Sequence, residues 1–198
     1  MGNEAHQLGC REDIRTELLD GKVVAMSPSP AVDHGRIAGN IFNIFSNFLK
    51  GKPCEAIADK ADVHFSKKDI VIPDMMVVCD ANKIKRDGVY GAPDLVVEVL
   101  SPSTAARDKG YKKKLYGQHG VKEYWIVEGA SRTIEVYLLQ NHVLELDNVY
   151  TIFPRFMLKK MTDAEKSEIR HTFSPSIFPD MTITIGDVFE RLFDNEDY

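Results

Sequence analysis

The 198-residue sequence predicts a single α/β domain, and three observations carry that reading. The apolar, β-branched run Leu95–Leu100 reads as a strand buried on both faces, Ile70–Cys79 shows a second buried-strand pattern, and Val121–Val127 reads as another strand. Residues 34–49 and 105–118 carry the composition and spacing of helices. No internal repeat or low-complexity linker divides the chain, so residues 1–198 read as one domain with an added hairpin and tail.

In chain order, residues 1–12 are polar and expected to be loose. Thr16–Met26 reads as a short element, a turn at Asp20-Gly21 and a strand. A proline-broken loop, Ser27–His34, follows, and Asp33 is a candidate cap. Ile37, Ile41, Ile44, Phe45 and Phe48 then recur at helical spacing up to Lys50-Gly51. Residues 54–66 look like one or two strands or a hairpin. In Ile70–Cys79, Pro73 removes a ladder donor and marks a strand start, an edge or a bulge. Residues 80–92 form a connecting loop. After the Leu95–Leu100 run, Ser101-Pro102-Ser103-Thr104 ends the strand and can cap a helix that stops at Gly120. Arg132–Gln140 and Val143–Leu146 suggest a hairpin around Asn141-His142. Residues 149–172 are less regular, and the tail reads as a short strand and a helix packing Val188, Phe189, Leu192 and Phe193 on the core.

Composition is that of an ordinary globular protein, 43% hydrophobic and 28% charged. A net charge of −5 means that any nucleic-acid contact needs a local basic patch. Cys10, Cys54 and Cys79 are odd in number and lack CxxC spacing, which argues against a disulfide framework or a zinc ribbon and points to a reducing, cytoplasmic compartment. No apolar h-region opens the sequence, and no run is long enough to span a bilayer.

The informative residues are acids inside apolar strands. Glu98 sits within Leu95–Leu100, where an unpaired carboxylate costs several kcal/mol or takes up a proton. Asp94 is four residues away on the same strand, about 13 Å, too far to share an ion. Asp74 comes from another strand and can lie beside Glu98. Two such carboxylates need a shared proton or a cation, and a hard divalent ion such as Mg²⁺ or Mn²⁺ answers that need. Position 100, on the same face as Glu98, is Leu100, so a positive group has to come from elsewhere. The segment after the strand offers Arg107, Lys109, Lys112, Lys113 and Lys114. Within it, Asp108 and Lys112, and Lys112 and Tyr116, are four residues apart and share a helix face. Most lysines in such a run are expected on a solvated face.

Pro73-Asp74, GAPDLVVEVLSPST at Gly91–Thr104, the pair Asp108 and Lys112, and Tyr116, Gly120, Val121, Glu123, Tyr124 and Trp125 together resemble the Uma2 family. Segments Glu17–Ile37 and Phe178–Phe189 resemble its opening and closing stretches. The resemblance implies a restriction-endonuclease-like α/β fold, a mixed β-sheet flanked by helices, of the PD-(D/E)xK nuclease group. It implies Asp74 and Glu98 as the acids, a helix lysine replacing the one absent at Leu100, with Lys112 the best match, and Glu17 as a glutamate brought from a first helix. His34 matches the family's histidine. The expected activity is hydrolysis of DNA by a Mg²⁺- or Mn²⁺-dependent endonuclease, with Asp74, Glu98 and the Val99 carbonyl holding the ion. Arg107, Lys109, Lys113 and Lys114, with Lys83, Lys85 and Arg86, would meet phosphates. A homodimer would let two sites serve two strands. The rival readings are a nuclease-like module that binds nucleic acid or protein without cutting, and a purely internal pairing of the acids.

Overall fold

The computed structural model describes residues 15–26, 31–58 and 61–193. Residues 1–12 and Ser27–Pro30 of the expected Ser27–His34 loop lie outside that set. The central layer is a six-stranded mixed sheet. Its strands, in spatial order, are β12 (Val143–Thr151), β11 (Thr133–Gln140), β10 (Glu123–Glu128), β9 (Leu95–Val99), β6 (Met75–Val78) and β3 (Glu55–Ala58). β9 and β10 run parallel, and the other neighbours are antiparallel. Period-2 alternation sends the strands' side chains to opposite faces, and each face is covered by a helix.

One face packs against α1 (Val32–Leu49), whose Ile37, Ile41 and Phe45 recur every four residues and meet Leu95, Val97, Trp125 and Val127. Trp125 is fully buried, 5.5 Å from the Phe45 ring, as expected of core packing. The opposite face carries Val96, Met76, Tyr124 and Ile126 under the helix that joins β9 to β10. That helix has three parts: α2 (Ala105–Arg107), a π turn over Asp108–Lys112, and α3 (Lys113–His119), capped by Gly120 at φ 92°. The sequence predicts an unbroken α-helix here, and the π turn is a departure from it. Gly117 lets α3 rest on the β11–β12 hairpin, since a Cβ there would stand 3.0 Å from the His142 carbonyl oxygen.

A second sheet lies against the same face. Its order is β2 (Lys22–Ala25), β1 (Thr16–Leu19), β5 (Ile70–Val71), β4 (Val63–His64), β8 (Gly88–Tyr90) and β7 (Ile84–Lys85). Leu19, Val63, Val71 and Val89 join the cluster around Val96 and Tyr116. The run Ile70–Cys79 is therefore two strands in two sheets, β5 and β6, with Ile72, Pro73 and Asp74 making the passage. Continuous apolarity cannot reveal that break, although Pro73 marks it. Residues 54–66 are likewise split between sheets as β3 and β4, and the expected loop at 80–92 holds a 3₁₀ turn, β7 and β8.

Other local expectations change. Thr104 occupies the N-cap of α2, but its hydroxyl bonds Ser101 rather than a helix N–H. Asp33 lies in the first turn of α1 and accepts bonds from Arg36 and the Phe193 N–H instead of capping. Residues 149–172 hold α4 (Arg155–Leu158) and α5 (Asp163–Ser167), the latter with a Thr162–Glu165 capping box. In the tail, β13 (Thr172–Phe173) pairs with β14 (Ile183–Thr184) and α6 (Ile185–Val188) follows. Val188 and Phe189 are buried, whereas Phe193 stays exposed beneath the Arg36 guanidinium. Cys54 and Cys79 form a disulfide. The β3–β6 register explains it: Glu55 pairs with Val78, so the next residues outward face each other. Sequence spacing held no sign of that pairing.

Candidate active site

The β6–β9 register pairs Met76 with Val96 and Met75 with Val97, so one further step sets Asp74 opposite Glu98. Asp74 Oδ2 accepts the Val99 N–H at 2.7 Å, which fixes the carboxylate against the end of β9. His34, from the first turn of α1, brings Nε2 to 3.3 Å from the same oxygen. Glu98 shares its face with Val96 and is 3% exposed. Its Oε1 accepts two bonds, from Lys112 Nζ at 3.0 Å and from Tyr116 Oη at 2.6 Å.

Glu17 arrives from the second sheet, on strand β1 and not on a first helix. Its Oε1 lies 2.7 Å from Lys112 Nζ and accepts the Ile72 N–H at 3.0 Å, and its Oε2 accepts from Arg107 at 3.1 Å. Asp108 Oδ1 stands 3.5 Å from Lys112 Nζ, near enough for ion pairing but without hydrogen-bond geometry, and it is buried with no hydrogen-bond partner among the described residues. The Lys112 ammonium thus sits among three carboxylates from three elements. Lys113 lies over the Tyr137 ring and Lys114 is exposed, so Lys112 is the one of the three that touches Glu98.

The π turn helps to build this arrangement. In a straight α-helix each four-residue step overshoots a full turn by about 40°, so residues 108 and 116 would drift apart by about 80°. A turn closed by i→i+5 bonds winds less per residue and offsets part of that drift. Asp108, Lys112 and Tyr116 can therefore all face Glu98 and Glu17. The Tyr124 hydroxyl, from β10, donates to the Asp108 carbonyl within the turn at 3.1 Å.

Charge balance follows from burial. Burial raises the Glu98 carboxyl well above its ordinary range; Lys112 pulls it down, while Asp108, Asp74 and Glu17 add to the rise. Asp108 is raised for the same reason, against Lys112 and Thr104. Burial would discharge Lys112, but Glu98, Glu17 and Asp108 outweigh it and hold the ammonium charged. Burial also lowers His34, yet the Asp74 carboxylate and the Val99 backbone leave it raised.

The other expected contacts point in several directions. Arg107 turns inward to Glu17 instead of outward to a phosphate. Lys109 pairs with Glu135 at 2.7 Å, and Lys83 donates to the Ala92 carbonyl. Lys85 and Arg86 are exposed. Asp94 binds Lys122 and the Cys79 N–H, away from Glu98. Glu123 is structural: it accepts from Trp125 Nε1 and from Ser176. The inward turn of Arg107 had no sequence signal, whereas the four-residue spacing of Asp108, Lys112 and Tyr116 marked that face.

A divalent ion suits the donors present. Among the described residues no three His, Cys, Asp or Glu side chains converge as metal ligands. The candidate set is smaller: Asp74, Glu98 and the Val99 carbonyl. Asp74 uses Oδ2 and Glu98 uses Oε1 in the bonds above, and among the described residues neither Asp74 Oδ1 nor Glu98 Oε2 makes one. Two carboxylate oxygens and a carbonyl form a hard-donor set, and Mg²⁺ commonly keeps several waters beside one or two carboxylates.

An acid pair on adjacent central strands, with a lysine from the crossover helix, places the protein in the class of restriction-endonuclease-like α/β folds. The chain belongs to the Uma2 family: the family model described as "Putative restriction endonuclease" matches residues 3–159. An uncharacterized protein of Synechocystis is 33% identical over 129 residues, which cover 64% of this chain and 67% of that one. The crystal structure of a "putative nuclease" of DUF820 from Anabaena variabilis superposes with a TM-score of 0.66 at 19% identity, over 88% of this chain and 89% of that one. At that identity the likeness concerns the fold. No helix among the described residues is long and apolar enough to cross a membrane.

Proposed function

We propose that the chain is a Mg²⁺- or Mn²⁺-dependent endonuclease that hydrolyses DNA phosphodiester bonds. The observation that carries this reading is the Lys112 ammonium, held between Glu17 and Glu98, with Asp74 just ahead of the neighbouring strand. Asp74, Glu98 and the Val99 carbonyl would hold the ion, which supplies a Lewis acid and lowers the pKa of a bound water. Lys112, fixed by its carboxylates, would orient the attacking water or meet charge that develops on the scissile phosphate. Glu17 keeps Lys112 in place from the second sheet and holds Arg107 beside it. His34 anchors Asp74 to the first turn of α1. Lys109, Lys113 and Lys114 flank the site as candidate phosphate contacts, and two chains would serve two strands of a duplex.

The test is cleavage of plasmid and single-stranded DNA with Mg²⁺, Mn²⁺ or EDTA. Cleavage should require a divalent ion and fall at least a hundredfold in Glu98→Ala. No cleavage under any ion, or undiminished cutting by Glu98→Ala, would sink the reading. One observation favours a binding module instead: Lys112 is already neutralised by three carboxylates and is 3% exposed. A module of that kind would bind DNA without metal and keep binding after Asp74→Ala.

A further inference from the structure

We infer that Tyr116 is a positioning residue that sets which oxygen of Glu98 is offered to the cation, an inference that rests on the metal-dependent reading above. Tyr116 is fully buried, and its hydroxyl reaches the buried Glu98 carboxylate at 2.6 Å. It donates to Glu98 Oε1, the oxygen that also takes Lys112 Nζ. Two donors on one oxygen fix the carboxylate's rotation and leave Oε2 for a ligand.

The hydroxyl is itself held in place. The Tyr116 ring packs 5.1 Å from the Tyr124 ring and 5.8 Å from Phe65. Tyr124 in turn donates to the Asp108 carbonyl, the acceptor of the Lys113 N–H that closes the π turn. Without that turn, Asp108, Lys112 and Tyr116 would spread around the helix. The two tyrosines therefore act at different points: Tyr116 on the carboxylate, Tyr124 on the helix that presents Lys112 and Tyr116. A neutral donor suits the first task, because a second ammonium would compete with the cation for Glu98.

A purely structural account is that Tyr116 fills core volume and its hydroxyl takes the nearest acceptor. Tyr116→Phe keeps the ring and deletes only the hydrogen bond, which separates the two accounts. Mn²⁺ binding to purified wild-type and variant protein, followed by electron paramagnetic resonance, gives an affinity that core filling would not alter. Wild-type protein should bind Mn²⁺ and lose it in Asp74→Ala. Tyr116→Phe should weaken Mn²⁺ about tenfold or more, the usual effect of removing a group that orients a metal ligand, while its thermal unfolding midpoint moves by only a few degrees. Tyr124→Phe should weaken it by a smaller factor, and decides the matter if Tyr116→Phe does not fold. Equal Mn²⁺ affinity in wild type and Tyr116→Phe, or in Tyr124→Phe where the former is insoluble, overturns the inference and leaves the metal site standing. Wild-type protein that binds no Mn²⁺ overturns both.

Discussion

Replacing Lys112 by methionine gives the sharpest test of how the site is held together. Methionine keeps an unbranched, apolar stem of similar length and removes only the ammonium. Three carboxylates would then face one another: Glu17, Glu98 and Asp108, now 2.7, 3.0 and 3.5 Å from that charge. Removing one partner of a buried ion pair costs about 3–5 kcal/mol, because a charge is left without compensation. Arg107 remains on Glu17 and limits the loss on that side. The expected deficit at pH 8 is therefore about 3–5 kcal/mol, a large part of the stability of an ordinary domain.

The pH dependence separates this cause from simple loss of packing. Burial already raises Glu98 and Asp108, and Lys112 is the main influence lowering them. In the variant both would keep their protons to still higher pH. A group whose folded pKa lies above its unfolded value gives stability that is present below the unfolded pKa and lost as pH rises through the folded one. Wild type and variant lose stability alike up to the wild-type pKa of each acid, and in the window above it the variant should fall behind, by up to about 1.4 kcal/mol per pH unit for each proton involved. In the wild type the raised Lys112 pKa puts loss of its own proton far above this window, so it adds no slope there. Urea unfolding of both proteins at pH 5 and pH 8 measures the difference. A deficit below about 1 kcal/mol at pH 8, or one of equal size at both pH values, refutes the electrostatic account.

Two further outcomes follow from the fold. The Cys54–Cys79 bond closes a segment with a sequence separation of 25, worth about 3.5 kcal/mol by the chain-entropy relation; reductant should lower the urea midpoint of wild type but not of Cys54→Ser, and a midpoint indifferent to reductant would contradict the bond. Gly117→Ala should cost about 1–3 kcal/mol, since the added Cβ meets backbone atoms His142 O at 3.0 Å and Leu144 N at 3.2 Å, which cannot swing aside; differential scanning calorimetry checks it, and an unchanged midpoint would mean that the hairpin yields at no cost.

What could be read from the sequence was whatever burial writes into a local pattern. The β-branched runs gave β9 and β10, helical spacing gave α1, and a carboxylate inside an apolar run identified Glu98 as a residue that needed a partner. Partners supplied by long-range register were harder. Pro73 marks a break between Ile70–Val71 and Met75–Val78, but nothing local sends the two to different sheets or says that β3 carries Cys54 to Cys79. The π turn is invisible for a similar reason: the hydroxyl that bonds its Asp108 carbonyl belongs to Tyr124, on the next strand. Arg107 and Lys112 look alike in a basic run, and only the position of Glu17 on β1 draws both inward.

The position of the lysine has a topological reason. On a strand, a residue two places from Glu98 shares its face, so position 100 is the short route for a cation, and Leu100 closes that route into the apolar cluster. The alternative is open because β9 and β10 are parallel neighbours. Parallel neighbours require a crossover, and this crossover helix lies on the face that Glu98 occupies. A residue near its middle then stands above the strands, within reach of a side chain as long as lysine. Helix rotation is the governing variable: a one-residue change of register turns a side chain by about 100°, enough to carry Lys112 out of the site. A lysine on a strand is held in place by the sheet itself. A lysine on a helix needs the helix fixed in rotation, and here the Tyr124 bond to the Asp108 carbonyl and the Arg107 and Lys112 pairs to Glu17 do so from two different sheets.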